Sequence, residues 1–312
     1  MMKRIIRIAS IVIIFILLNS CRESVPGKYS YQHQLAEEIE QTLEVNDEKQ
    51  SSGDEEHTEM SGSEEVPETE EVQTAENQVE IHATPSPKQW SYKGEHGPQN
   101  WGQLNPEYAL CKNGTMQSPV DIANVTIEVM PSIQFAYQTS NISIRNNGNL
   151  IQVIFEHVNS INIDGTVYHL KELLFHGPSE HTLNGQYLSM EIHLLHEDDA
   201  GNYAVVAVFI QPGMINEAMN PIIENLPENE EDFLQPVESR MNPEGLLPDD
   251  RSYYYVDGSL TTPPCTEGVK WYILKKPIEL SVLQIAQLES VYINNHRPTQ
   301  PLNNRIIREQ GN

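Results

Sequence analysis

The stretch from Leu173 to His196, LLFHGPSEHTLNGQYLSMEIHLLH, constrains what this chain can fold into more than any other. Two apolar runs flank the turn-like pair Asn184-Gly185. The first carries His176, followed by Glu180 and His181. The second carries Glu191, His193 and His196. Runs this short, bounded by turn residues, read as strands. Histidine on adjacent strands is suited to hold zinc, because neutral imidazole is a good ligand for it.

The same texture extends over 89–312. Apolar or alternating runs recur at 141–145, 150–156, 165–175, 189–195, 203–211 and 269–274, separated by Asn, Gly and Pro. Helical patterns are few, at 216–224, 229–235 and 281–294. This predicts a mainly β domain, and a length of about 220 residues is enough for one substantial core.

What precedes the domain has a different composition. Lys3, Arg4 and Arg7 make a basic start, and 8–18 is apolar except for Ser10. That is the n-region and h-region of a secretory signal, and it is shorter than the roughly 20 apolar residues of a membrane span. Leu18-Asn19-Ser20-Cys21 then resembles the bacterial lipoprotein box, which implies cleavage before Cys21 and lipid on that residue. The alternative is an ordinary signal peptide or an uncleaved anchor. Residues 22–88 hold 18 Asp and Glu against 4 Lys and Arg, and only Tyr29 and Tyr31 are aromatic. Such a segment buries too little apolar surface to offset its ordering entropy, so 21–88 is expected to be a disordered tether. The expected division is signal peptide 1–20, spacer 21–88 and folded domain 89–312. The expected location is extracytoplasmic, at the cell surface or in the periplasm, with the membrane as partner through the lipid on Cys21. The formal charge of −26 leaves the folded part acidic as well. Nucleic acid is therefore not an expected partner, since phosphate contacts need clustered Lys and Arg.

Seven motifs within 89–312 carry a family resemblance. They are Trp90-Ser91-Tyr92, Gln117-Ser118-Pro119-Val120-Asp121-Ile122, Asn146-Asn147-Gly148, Ser179-Glu180-His181, Glu191-Ile192-His193-Leu194-Leu195-His196, Ser259-Leu260-Thr261-Thr262-Pro263-Pro264, and Asn295-His296-Arg297-Pro298-Thr299-Gln300-Pro301. In this order they resemble the α-class carbonic anhydrases. The resemblance implies a large twisted, mostly antiparallel central sheet with a few short helices and a conical pocket. It also implies reversible hydration of CO2 to bicarbonate at a Zn2+-held hydroxide. Carbonic anhydrases are a standard instance of a three-histidine zinc site with an open fourth position.

The resemblance assigns the site residue by residue. His176 matches the second zinc ligand and His193 the third, but the first ligand's position is Leu174, which has no lone pair to give. Three nearby groups are candidates to replace it. Glu172 lies four residues from His176, roughly 13 Å along a strand. His196 and His169 fall on the opposite face by strand parity. None replaces the missing imidazole, and His181 and His196 read as structural. Thr261 matches the threonine that orients the hydroxide, and Glu180 the carboxylate that receives its hydrogen bond. Thr262 matches a second pocket threonine. Leu195, Val205, Leu260 and Trp271 match the apolar wall where CO2 rests, and Glu191 matches the carboxylate that orients His193. The proton-shuttle position is Asn149, which does not titrate. Cys111 and Cys265 match positions that form a disulfide in secreted members, in keeping with an exported chain. Two readings follow. The chain is a carbonic anhydrase, impaired or inactive for want of a ligand, or it is a catalytically silent surface binding module.

Overall fold

The computed structural model describes residues 90–311, apart from 228, 230–232 and 235–238. The expected signal peptide, Cys21 and the acidic spacer lie outside the described residues. Ten strands form the main path of a 14-stranded sheet. In chain order they are β1 (Thr126–Val129), β2 (Ser140–Asn146), β3 (Ile151–Phe155), β4 (Thr166–His176) and β5 (Met190–Glu197). There follow β6 (Tyr203–Pro212), β7 (Phe233–Leu234), β8 (Tyr253–Ser259), β9 (Glu267–Leu274) and β10 (Arg308–Gly311). Their spatial order is β7-β2-β3-β4-β5-β6-β9-β8-β10-β1. The pairings β6–β9 and β10–β1 are parallel and the rest of this path is antiparallel, so the sheet is mixed.

Alternation along the central strands gives the sheet two different faces. Leu173, Phe175, Ile192, Leu194, Val206 and Val208 point into the larger core, where the helix Val282–Val291 adds Ile285 and Leu288. That helix begins with a capping box: Ser281 accepts from the Gln284 amide while the Gln284 side chain accepts from the Ser281 amide. The opposite face buries Val205, Ala207, Phe209, Trp271 and Ile273 against Val120 and Ile122. Histidine stands among the apolar side chains of this second face, because β4 and β5 place His176 and His193 there.

Three sequence expectations are corrected. Residues 229–235 are not a helix where described, since Phe233–Leu234 pairs as a strand with Ile144 and Arg145 of β2. A sheet edge offering unpaired backbone groups outweighs the helical preference of so short a run. The segment 216–224 is shortened to a 3-10 turn, Glu217–Met219, and a single helical turn, Asn220–Ile223. The third concerns His169. Leu170 pairs with His196, but Glu172 pairs with Leu195, so Lys171 is the extra residue of a bulge. The bulge resets the alternation and turns His169 to the same side of the sheet as His176. It still lies seven residues away, part-exposed, with its Nε2 3.9 Å from Asp199.

Candidate active site

The site is built on the ends of two antiparallel strands. Leu174 lies directly across from His193, and His176 across from Glu191. Residues two apart share a face, so Leu174, His176, Glu191, His193 and Leu195 all project to the same side. The His176 and His193 rings are 4.4 Å apart between centroids. Both are buried, whereas Leu174 is only partly so.

Hydrogen bonds fix which nitrogen of each ring carries a proton. His176 Nδ1 is 2.8 Å from the Asn295 carbonyl oxygen, which can only accept. Nδ1 is therefore the donor and Nε2 keeps its lone pair; Nε2 is buried without a hydrogen-bond partner. His193 Nε2 is 2.9 Å from Glu191 Oε1. With Glu191 ionised, His193 donates through Nε2, leaving the lone pair on Nδ1. Burial alone would raise the Glu191 pKa, but His181 and His193 together hold it well below the usual carboxylate range. The same carboxylate accepts from the Glu180 and His181 amides, each at 2.8 Å, and pairs with His181 Nδ1 at 2.7 Å. Burial holds His176 down to about 4 and lowers His193 as well, so both rings are neutral at pH 7.

Glu180 follows the Gly177-Pro178 turn that ends β4, and it is fully buried. Its Oε1 accepts from the Arg297 amide at 2.6 Å, and its Oε2 has no hydrogen-bond partner. Burial pushes its pKa up to about 7, against the lowering effect of His193, the Thr261 hydroxyl and the Arg297 amide. Oε2 is 3.7 Å from His193 Nδ1.

Around this centre, Val205 and Trp271 are paired across β6 and β9, and Leu195 faces Val205 across β5 and β6. Together with Leu260 they form one apolar cluster. Thr261 and Thr262 lie just beyond the end of β8, where the Cys265 amide donates to the Thr262 carbonyl at 2.8 Å. Cys265 is bonded to Cys111, with Cα atoms 5.0 Å apart. Asn149 is tied back by its side-chain amide, which donates to the Trp90 carbonyl at 3.2 Å.

Of the candidate replacements for the missing imidazole, Glu172 lies on the site's face and accepts from Gln152 at 2.9 Å. His196 is on the other face, with its Nε2 2.7 Å from the Tyr137 hydroxyl.

Over this domain the chain is similar to known proteins. The model of the family described as eukaryotic-type carbonic anhydrase matches residues 96–311. A carbonic anhydrase of Klebsiella pneumoniae is 40% identical over 223 residues, covering 70% of this chain and 90% of that protein. The chain belongs to the α-class carbonic anhydrase family. A hyperthermostable carbonic anhydrase from an active hydrothermal vent chimney has 42% identity and a TM-score of 0.69, with 72% of this chain and 100% of that one covered. Dioscorin, solved in complex with ascorbate, has 31% identity and a TM-score of 0.66, with coverage of 72% and 99%. The carbonic anhydrase fold thus accounts for the described domain.

Two positioning residues had no role assigned from sequence. Asn295 clamps the end of β4: its carbonyl orients His176, its Oδ1 accepts from Gly177 N at 2.9 Å, and its Nδ2 donates to Phe175 O at 2.8 Å. Arg297 is 1% exposed and donates to Gln117, Ser118 and Cys111. Both stand in the 295–301 motif, so the signal was present; what the motif did not reveal was which partners they reach.

Proposed function

We propose that this carbonic-anhydrase family member interconverts CO2 and bicarbonate at a strongly reduced rate, from an exported, lipid-anchored position. The observation that carries this reading is Leu174, set across the strand pair from His193 at the position where the family has its first ligand. His176 and His193 are suited to hold the family's zinc, since each keeps a lone pair on the ring nitrogen not used in hydrogen bonding. When bound, the metal supplies Lewis-acid activation of water.

The remaining residues divide the work between binding, orientation and proton movement. Leu195, Val205, Leu260 and Trp271 offer CO2 an apolar resting place that excludes water. The Thr261 hydroxyl, working with Glu180, orients the attacking oxygen. Asn149 carries no titratable proton, so protons leave the pocket without a side-chain relay.

Stopped-flow CO2 hydration and bound-zinc analysis, with and without Leu174→His, test the reading. The substitution is expected to raise both zinc affinity and hydration rate by more than about tenfold, since even removing an indirect supporter of a metal ligand costs roughly 10–100-fold. Stoichiometric zinc and rapid hydration in the unmodified protein would refute it. A second reading, a silent surface binding module, is favoured by the same leucine and by the dioscorin–ascorbate complex, which shows this fold binding a small organic molecule. It predicts no hydration above background in the unmodified protein.

A further inference from the structure

Taking the pocket as a metal site, one buried carboxylate stands where it can complete it. One donor atom from each of His176, Glu180 and His193 lies within 4.8 Å of the other two. All three residues are buried. Two of the atoms left without a hydrogen-bond partner in this cluster are His176 Nε2 and Glu180 Oε2. An unpaired buried polar atom is costly, so each of these two calls for a partner. Among the described residues one other such group occurs, His181, Glu191 and His193. Its carboxylate is already engaged by two backbone amides and two imidazoles, so it has no comparable spare capacity.

We propose that Glu180 is the third protein donor to a divalent metal in this chain, with His176 and His193, in a two-histidine, one-carboxylate set. Tetrahedral zinc with bonds near 2.0–2.1 Å separates its ligand atoms by about 3.4 Å, and Glu180 Oε2 stands 3.7 Å from His193 Nδ1. The donor set is chemically sound, since two histidines and one glutamate hold zinc in thermolysin-type sites. Two histidines and one carboxylate are also the set that holds non-heme Fe2+. The arrangement has a cost for catalysis: a carboxylate engaged by metal is not available to the Thr261 hydroxyl, whose hydrogen bond is one of the influences that lower the Glu180 pKa.

Metal loading after chelator treatment tests this without reference to activity. Purified full-length protein, Glu180→Gln, Leu174→His and the double variant are titrated with Zn2+ and, separately, with Co2+, following stoichiometry by mass spectrometry of bound metal and the visible Co2+ spectrum. Glutamine preserves the Oε1 acceptor for Arg297, and circular dichroism checks the fold. The unmodified protein is expected to bind one metal, and Glu180→Gln to bind more than about tenfold more weakly. In the Leu174→His background, where a third imidazole is present, Glu180→Gln should keep its metal. Equal affinity in the unmodified protein and Glu180→Gln would overturn the proposal, as would no binding by the unmodified protein. Failure of the hydration reading shows differently, as a Leu174→His protein that binds zinc yet hydrates CO2 no faster.

Discussion

His196 shows how much one buried side chain can commit the molecule to a pH range. It is 0% exposed in the larger core, and burial lowers its pKa to about 3. The unfolded imidazole takes a proton near 6.5, so between those values the unfolded chain binds more protons, and stability rises with pH. His176, lowered to about 4, and His193, also lowered, act in the same direction. Glu180 opposes them, because its carboxyl is raised to about 7, and its contribution is lost as pH rises through that value. His296 is lowered too, while Glu172 and Glu289 are raised like Glu180, and four histidines against three carboxyls predict that metal-free protein loses stability as pH falls from 6.5 towards 4. Urea unfolding at stepped pH should show this, and His196→Gln should flatten the slope by about 1.4 kcal/mol per pH unit. An unchanged slope would mean that His196 does not remain neutral in the folded protein.

Between elements, the Cys111–Cys265 bridge joins the short helix Leu110–Asn113 to the segment just after Thr261 and Thr262. It closes a loop of 154 residues in sequence. Chain entropy puts its contribution at ~5 kcal/mol, an upper figure for a loop of that size. The Gln117 side chain reinforces the link by donating to the Cys265 carbonyl at 3.1 Å. Cys111→Ser/Cys265→Ser is therefore expected to lower the unfolding free energy by several kcal/mol in denaturant titration. It should also slow any hydration by loosening the loop that carries Thr261. A double variant as stable as the unmodified protein would show that packing alone holds this loop.

At the scale of the whole molecule, the proposed anchor decides where the chemistry occurs. A lipidated Cys21 would hold the protein at the membrane. Cys21→Ser should shift the protein from the membrane fraction to the soluble one, and the mature N-terminal peptide should lose its acyl mass. Membrane retention by Cys21→Ser would favour an uncleaved anchor.

The sequence by itself determined the β-rich class and most of the strand runs. Alternation with a period of two and turn pairs such as Asn184-Gly185 are local properties, as are motifs of contiguous residues. That Leu174 offers no lone pair was legible too, because this is a property of the side chain and not of the fold. Three things were decided only by the tertiary structure, and each depends on residues distant in sequence. The bulge at Lys171, which turns His169 to the site's face, exists only in the pairing of β4 with β5. The strand at Phe233–Leu234 needs the open edge of β2. The tautomer of His176 is set by a carbonyl 119 residues away. For the same reason Glu180, read from its motif only as a partner for Thr261, shows its closeness to His193 only in the fold, with Oε2 3.7 Å from His193 Nδ1.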